Sequence, residues 1–457
     1  NGTVPILLMS FFWPVAGARG AEGQPGAPAC ADTLRTAAPM SLNDCMRYAV
    51  EHSPAVRRQD YTNRSYRQDY IESVAALVPS VSGSVGASTS FGRSVDPETN
   101  TYTDVSNFDN SYGVSGQLPL FAGLTGINTV RAAKVMRLQG AEELQIARDE
   151  VALKTMQAYF DVVYYTGSVQ LAREQLETST AELKKSRKLL ELGLRSAADV
   201  AEVESQQASD DYLLTQQENN LALARIALAE AMNYPADRPL EIDTAVPIET
   251  PAGAAPYDEV VSYALENHPK ALSADYGVRR SRLQFSVARG SLYPSLYVGG
   301  GYSTNFFMSL DNRTLYASFP NQFRDNRGFY VSAQLSIPIF GGLARRTSMN
   351  RARNNWRIAE QQRMETLRAL ESEVAQAYQQ MLGYGKEFVQ ASKKSAAAQL
   401  AYDAVAGKYA QGLASALDLQ TAADKLLEAR SERLRARLQY IIKVRLVEYY
   451  HGEPLIR

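Results

Sequence analysis

Residues 80–120 alternate with a period of two. Ser80, Ser82, Ser84, Ser88 and Ser90 fall on one face, and Val81, Val85, Ala87 and Phe91 on the other. The returning segment sets Phe108, Tyr112, Val114, Leu118 and Leu120 against Ser111, Ser115 and Gln117. Farther along, Leu292, Leu296, Val298 and Tyr302 alternate with Ser295 and Ser303. Phe329, Val331, Ala333, Leu335, Ile337 and Ile339 then alternate with Ser332, Gln334 and Ser336. The pattern predicts two β-hairpins, over 80–121 and 292–340, each with a greasy face and a wet face of small uncharged residues. A globular sandwich would carry charges on its outer face. A membrane barrel is apolar outside and polar inside, with strands of about ten residues, and fits better.

After each hairpin the period changes to that of a helix, with scarcely a breaker over 124–192 and 343–411. Gly383, Gly385 and Gly407 are the weak points of the second run. The first would span roughly 100 Å if continuous. Leu176, Leu183 and Leu190 recur every seventh position, as do Ala391, Ala398 and Val405 with Tyr402 and Tyr409 beside them, which predicts coiled-coil packing. Each run stops at a glycine, Gly193 or Gly412, suited to a helix C-cap. Leu194 or Leu413 follows, and Ser196 with Asp199, or Ser415 with Asp418, forms an S-x-x-D capping box for a return helix. Capping alone explains these residues, yet tips gathered about an axis are also where a tube opens or closes.

The layout is written twice, at an interval of about 215 to 220 residues, far beyond solenoid periods. Ala49, Glu51, His52, Pro54 and Tyr61 recur as Ala264, Glu266, Asn267, Pro269 and Tyr276 with the same spacing, and Pro79 and Pro119 recur as Pro294 and Pro338. The first repeat is expected over 40–256, with a helix at 40–79, a hairpin at 80–121, long helices at 122–233 and a linker at 234–256. The second is expected over 257–457, with a helix at 257–291, a hairpin at 292–340 and long helices at 341–452. The prolines mark where strand gives way to helix, and the polar loops 95–106 and 305–326 lie at the opposite strand ends.

Composition narrows the chemistry. Lys and Arg number 48 against 49 Asp and Glu, which argues against a general nucleic-acid binder. Three histidines, two cysteines and no Gly-rich phosphate loop argue against a metal centre, a nucleotide site or any other cofactor. No run of 18 apolar residues offers a transmembrane helix, but a closed barrel also crosses a membrane. Residues 1–39 read as a secretory signal and processed tail, with Ala16-Gly17-Ala18 as small residues for cleavage. A buried N-terminal segment is the alternative. Cys30 after Ala27-Pro28-Ala29 is a candidate for lipid acylation, or for a disulfide with Cys45. Cys45 also reads as a small apolar residue on the inner face of the first helix.

Four strands do not close a membrane barrel, whose smallest forms need about eight. The chain is therefore expected to pool strands between copies, as about 8, 12 or 16 strands from two, three or four chains, with three favoured.

The duplication, the two-strand insertions, the prolines at their boundaries and both G-L-x-S-x-x-D tips together resemble the TolC family of outer-membrane efflux ducts, from Met40 to Pro454. The resemblance implies a mixed fold, with long antiparallel α-helical coiled coils and four strands per chain in a shared 12-stranded transmembrane β-barrel. It implies a homotrimer in the outer membrane of a Gram-negative bacterium, with its helices forming a tunnel in the periplasm. It implies that tip residues Gly193, Leu194, Ser196, Gly412, Leu413 and Ser415 dock on a periplasmic adaptor joined to an RND or ABC inner-membrane pump. It places Asp418 at the pore constriction and directs Tyr409 toward Asp199 as a closing link. Two departures stand out: an arginine of a second closing link falls on Ala414, and a second pore acid falls on Thr421. Two other readings are a trimeric surface stalk without transport and a hydrolase using Asp199 and Asp418. The second is weak, because both acids sit at equivalent places of a duplication.

Overall fold

The computed structural model describes residues 39–95, 100–238, 240–244, 255–311 and 317–456. The expected leader and Cys30 lie outside them. The elements run α1 (Leu42–His52), α2 (Pro54–Ala75), β1 (Ser80–Val95), β2 (Tyr102–Ala122), α3 (Thr125–Glu191), α4 (Ala197–Met232), α5 (Tyr257–Asn267), α6 (Pro269–Gly290), β3 (Ser295–Ser309), α7 (Phe319–Asp325), β4 (Gly328–Ser336), α8 (Ala344–Ala410) and α9 (Ala416–Tyr450). The duplication is visible in the lengths: α1 and α5 each have 11 residues, α2 and α6 each 22, and α3 and α8 each 67.

Proline splits each predicted opening helix in two. Pro54 and Pro269 have no N–H to donate and push the preceding residue out of helical geometry, so Ser53 (ψ 125°) and His268 (ψ 137°) are extended. Each then caps the helix that follows: the Ser53 hydroxyl accepts from the Val56 N–H at 3.5 Å, and His268 Nδ1 from the Lys270 N–H at 3.2 Å. Leu292, expected to open the third strand, instead closes the end of α6, its N–H donating to the Arg289 carbonyl at 3.1 Å, and β3 begins at Ser295.

The four strands form one antiparallel sheet in the order β1-β2-β3-β4. Its register stacks Val85, Tyr112 and Thr304 in one row, and Val114, Tyr302 and Phe329 in another, on the apolar face. Ser82, Ser115, Gly301 and Tyr330 line up on the other face, where Ser80, Ser82, Ser115, Gln117, Ser332 and Gln334 line a polar trough. Much of the apolar face is bare, with Val331 87 % exposed and Val81, Val85 and Phe329 nearly as much, but α7 covers its far end, where Thr304 is buried and Phe319 and Phe323 pack on Tyr112. The region expected as a loop over 305–326 is more ordered than that. Phe306 and Met308 carry the alternation onward, so β3 runs to Ser309. Beyond the start of β4, α7 stands in for the missing partner strand, with the Gln322 side chain accepting from the Phe307 N–H at 3.0 Å and donating to its carbonyl at 2.9 Å.

Helices α2, α3, α6 and α8 pack side by side in the order of the strands they adjoin. Farther along, α3 pairs with α4, α8 with α9, and α9 also packs on α3. Two cores lie at mid-length. Met46 of α1 and Leu228 of α4 are buried against Met156 and Phe160 of α3 and Ile442 of α9, and Val260 of α5 against Leu370 and Val374 of α8 and Val447 of α9. Cys45 is a fully buried free thiol in the first core, and burial pushes its pKa up to about 12.

The turn from β2 into α3 crosses the end of α6 without room for side chains. Gly123 has φ +60°, and a Cβ on Gly290 would lie 2.6 Å from the Gly123 carbonyl oxygen and 2.6 Å from Thr125 Cγ2. Replacing Gly290 with valine is expected to cost about 1–3 kcal/mol. The check is the unfolding midpoint of the detergent-purified protein by circular dichroism; an unchanged midpoint would mean the crossing is slack.

Candidate functional site

Both hairpin ends remote from the sheet are built by the same local chemistry. At the first, Gly193 has φ +74°, the Leu194 N–H donates to the Leu189 carbonyl at 2.8 Å, and the Gly193 N–H to the Leu190 carbonyl at 2.9 Å. At the second, Gly412 has φ +78°, with Leu413 to Lys408 at 2.9 Å and Gly412 to Tyr409 at 3.0 Å. This double bonding closes a helix onto a left-handed glycine. The return helices start at Ser196 and Ser415, whose hydroxyls accept from the N–H groups of Asp199 and Asp418, both at 3.1 Å. The two carboxylates accept in return from the serine N–H groups, at 3.2 Å and 2.9 Å. The Ser415 hydroxyl and N–H hold the Asp418 carboxyl below the usual carboxylate range. Leu194 and Leu413 stand bare at the tips.

Tyr409 is buried, but it does not reach Asp199, whose carboxylate is engaged in its own capping box. Its hydroxyl donates to Glu182 of α3 and accepts from Arg195 of the first tip. The Arg195 guanidinium also donates to Ser186, lies 3.7 Å from the Glu182 carboxylate, and stands 5.3 Å from the Tyr409 ring centroid. The Lys185 ammonium stands 5.0 Å from that centroid. The expected Tyr409–Asp199 link is thus replaced by a Glu182–Tyr409–Arg195 tie that joins the two helical hairpins. Burial first, then the bond to Glu182, raises the Tyr409 pKa above the ordinary tyrosine value. The hydroxyl proton, and the tie with it, is therefore retained across the neutral range and lost only as pH rises past that raised value.

The sequence reading missed Glu182 and Arg195. A signal existed for Arg195: it stands two places after Gly193, the position at which the second tip has Ala414. None existed for Glu182, which meets Tyr409 across 227 residues of chain.

A second cross-link lies farther from the tips. The Gln206 amide donates to Asp210 of its own helix at 3.0 Å and to Asp424 of α9 at 3.4 Å, and Gln420 donates to Gln206. Burial raises both aspartate pKa values, and Asp424 adds like-charge repulsion to Asp210. Among the described residues no cluster of His, Cys, Asp and Glu has the makings of a metal site. Asp199 and Asp418 each serve their own helix start, and nothing groups them as a catalytic pair. What the arrangement does is hold two helical hairpins together with a few polar ties.

The tie makes a thermodynamic prediction. Glu182→Gln, Tyr409→Phe and Arg195→Ala are expected to be non-additive, with pairwise coupling of about 0.5–3 kcal/mol in denaturant unfolding. Additive effects would mean the three side chains do not act as one unit.

The profile of the family described as "Outer membrane efflux protein" matches residues 46–234 and 260–449, once for each half of the duplication. Protein CyaE of Bordetella pertussis is 24 % identical over 336 residues, covering 72 % of this chain, while the chain spans 65 % of CyaE. Alkaline protease secretion protein AprF of Pseudomonas aeruginosa is 23 % identical over 438 residues, covering 90 % of this chain and 84 % of AprF. The solved structure of CusC superposes with a TM-score of 0.77 at 16 % identity, over 92 % of this chain and 96 % of CusC, and shows a shared fold. With the profile covering both halves and the fold in agreement, the chain belongs to the outer membrane efflux protein family.

Proposed function

We propose that the chain is one third of a passive outer-membrane duct, the exit of a tripartite efflux or type I secretion system. The observation that carries this reading is an interface present in half. Within the chain, Ile442 of α9 is 4 % exposed because it packs in the core with Val163 of α3, itself 7 % exposed. Their counterparts 219 positions away in the duplication are Leu223 of α4, 64 % exposed, and Leu382 of α8, 43 % exposed. Tyr212 and Ile226 of α4 and Val389 and Leu400 of α8 are bare as well. Leu382 and Val389 also line an open groove of about 760 Å³ between α8 and α9. An α4 from the next copy, laid on α8 as α9 lies on α3, covers both rows. The unpaired strands β1 and β4 stand at the two edges of the sheet and meet by the same rotation.

Three copies are the smallest closed ring that leaves an open bore. Eight strands fill their own interior, whereas twelve enclose water. The apolar sheet face then meets outer-membrane lipid and the serine-rich trough lines the passage. The helices extend about 100 Å into the periplasm. Their tips, with Leu194 and Leu413 bare, suit docking to a periplasmic adaptor joined to an inner-membrane RND or ABC pump, which supplies the energy. Asp418, ionised at the start of α9, faces the constriction in this reading, and the Glu182–Tyr409–Arg195 tie keeps the tips together. The family's name supports efflux, and the name of AprF supports secretion. A surface stalk without transport has no structural observation in its favour.

Two measurements test this. Leu223→Asp places a charge at the open interface and is expected to give monomers in size-exclusion chromatography with light scattering, whereas an unaltered trimer would remove the half-interface from the assembly. Tyr409→Phe combined with Arg195→Ala is expected to raise single-channel conductance in planar bilayers and to sensitise cells to large antibiotics. The wild-type conductance in that variant would leave the tie a stabilising contact only.

A further inference from the structure

The chain as a whole is nearly neutral, but its charge is segregated. Three of the four helices that adjoin the sheet are basic there: residues 125–141 of α3 hold three Arg or Lys, 276–290 of α6 four, and 344–359 of α8 five, with no Asp or Glu in any of them, while α2 sets Arg64 and Arg67 beside Asp69 and Glu72. The bases keep to stripes. Arg131 and Lys134 sit between Ile127 and Leu138 on α3, spaced 4, 3 and 4, and Arg346, Arg353 and Arg357 lead to Met364 on α8, spaced 7, 4 and 7. All five of these bases are exposed, and among the described residues none has a carboxylate partner. On α6, Arg282 stands 5.7 Å from the Trp356 ring centroid, and Trp356 stacks on Phe285.

The opposite stripes are poor in charge, with Arg351 one turn before Asn355 on α8 as the exception. Gly277, Ser281, Gln284 and Ala288 run along α6, and Asn355, Gln362 and Thr366 along α8. In the proposed duct these stripes, small and polar like the sheet's wet trough, continue the bore, which turns the basic stripes outward. Counted at 1.5 Å per residue from the starts of α3 and α8, the five bases lie within roughly 20 Å. That depth holds the lipid headgroups and the ionic layer next to them.

We propose that this belt binds the phosphate headgroups of anionic phospholipids in the leaflet that faces the helices, fixing the depth at which the duct sits. Arginine suits the task, because its planar fork takes phosphate oxygens two at a time and its stem lies along apolar surface. The inference rests on the sheet being the membrane wall, and the test separates the two.

The test is electron spin resonance of the purified full-length protein in phosphatidylcholine vesicles that carry either spin-labelled phosphatidylcholine or spin-labelled phosphatidylglycerol. The expected result is a preference for phosphatidylglycerol of at least about threefold, diminished in R346Q/R353Q/R357Q and by added salt in the wild type. Equal association of both lipids with the wild type at low salt overturns the belt while leaving the membrane wall intact. No motionally restricted lipid of either kind overturns the membrane wall itself. A triple variant that keeps the lipid preference but shifts the ion selectivity of reconstituted channels places these arginines in the bore, as a site for anionic cargo, and overturns the proposal. Should the variant fail to fold, the salt dependence of the wild type decides alone.

Discussion

Backbone hydrogen bonding in an apolar medium is the constraint on which the rest depends. In the proposed duct, a four-stranded sheet with a largely bare hydrophobic face leaves the outer N–H and C=O groups of β1 and β4 without partners within the chain, and lipid supplies none. The chain in isolation is therefore an unfinished object. The same condition passes down the molecule, because α2, α3, α6 and α8 lie in the order of the strands above them. In the proposed ring, closing the sheet between copies also brings the outer flank of α8 against its neighbour. Exposed Leu223 and Leu382 are then one face of a contact that the chain already makes once for itself, between Ile442 and Val163.

Duplication explains why that inference is available from a single chain. Two copies of one unit were retained with equal long helices, and the packing rules at equivalent positions are equal unless residues change. Caps did not change: Gly193, Ser196 and Asp199 correspond to Gly412, Ser415 and Asp418, because every helix must satisfy its own terminal groups. Ties between helices did change. Tyr409 corresponds to Leu190, Arg195 to Ala414, and Asp424 to Ser205. A link between the hairpins needs a donor on one side and an acceptor on the other, so the two repeats had to diverge there.

This division also accounts for what could be read from the sequence. Strand alternation, helix stops and capping boxes are local signals, and the β-hairpins and tips were legible from Val81, Phe329, Gly193 and Gly412 alone. The splits at Pro54 and Pro269 were legible in principle, since a proline after the first turn of a pattern displaces its predecessor. The capping role of α7 was not, because Gln322 imitates a strand only by meeting the Phe307 backbone. Glu182 was equally hidden: one glutamate among many on a polar helix is singled out only by the side chain opposite it.

The resulting energetics are graded along the helices, and under the proposed function they suit a part that opens without unfolding. The cores at mid-length hold Met46, Leu228, Val260 and Val374 with almost no exposure, and burial of each such side chain is worth about 1.5–3 kcal/mol. Near the tips, the buried contact set between α3 and α4 shrinks to Leu183, Val200 and Val203, and the hairpins are joined to one another by Ala416 of α9 packed on that set and by hydrogen bonds of Tyr409, Arg195, Gln206 and Gln420. Polar bonds of that kind are each worth about 0.5–1.5 kcal/mol, or about 1.5–3 where a charge takes part, and exchange readily with water. Separating the tips therefore costs little apolar burial, whereas separating the mid-length cores costs several times more. In the proposed duct this gradient assigns motion to the end where an adaptor docks, and leaves the strand order above undisturbed.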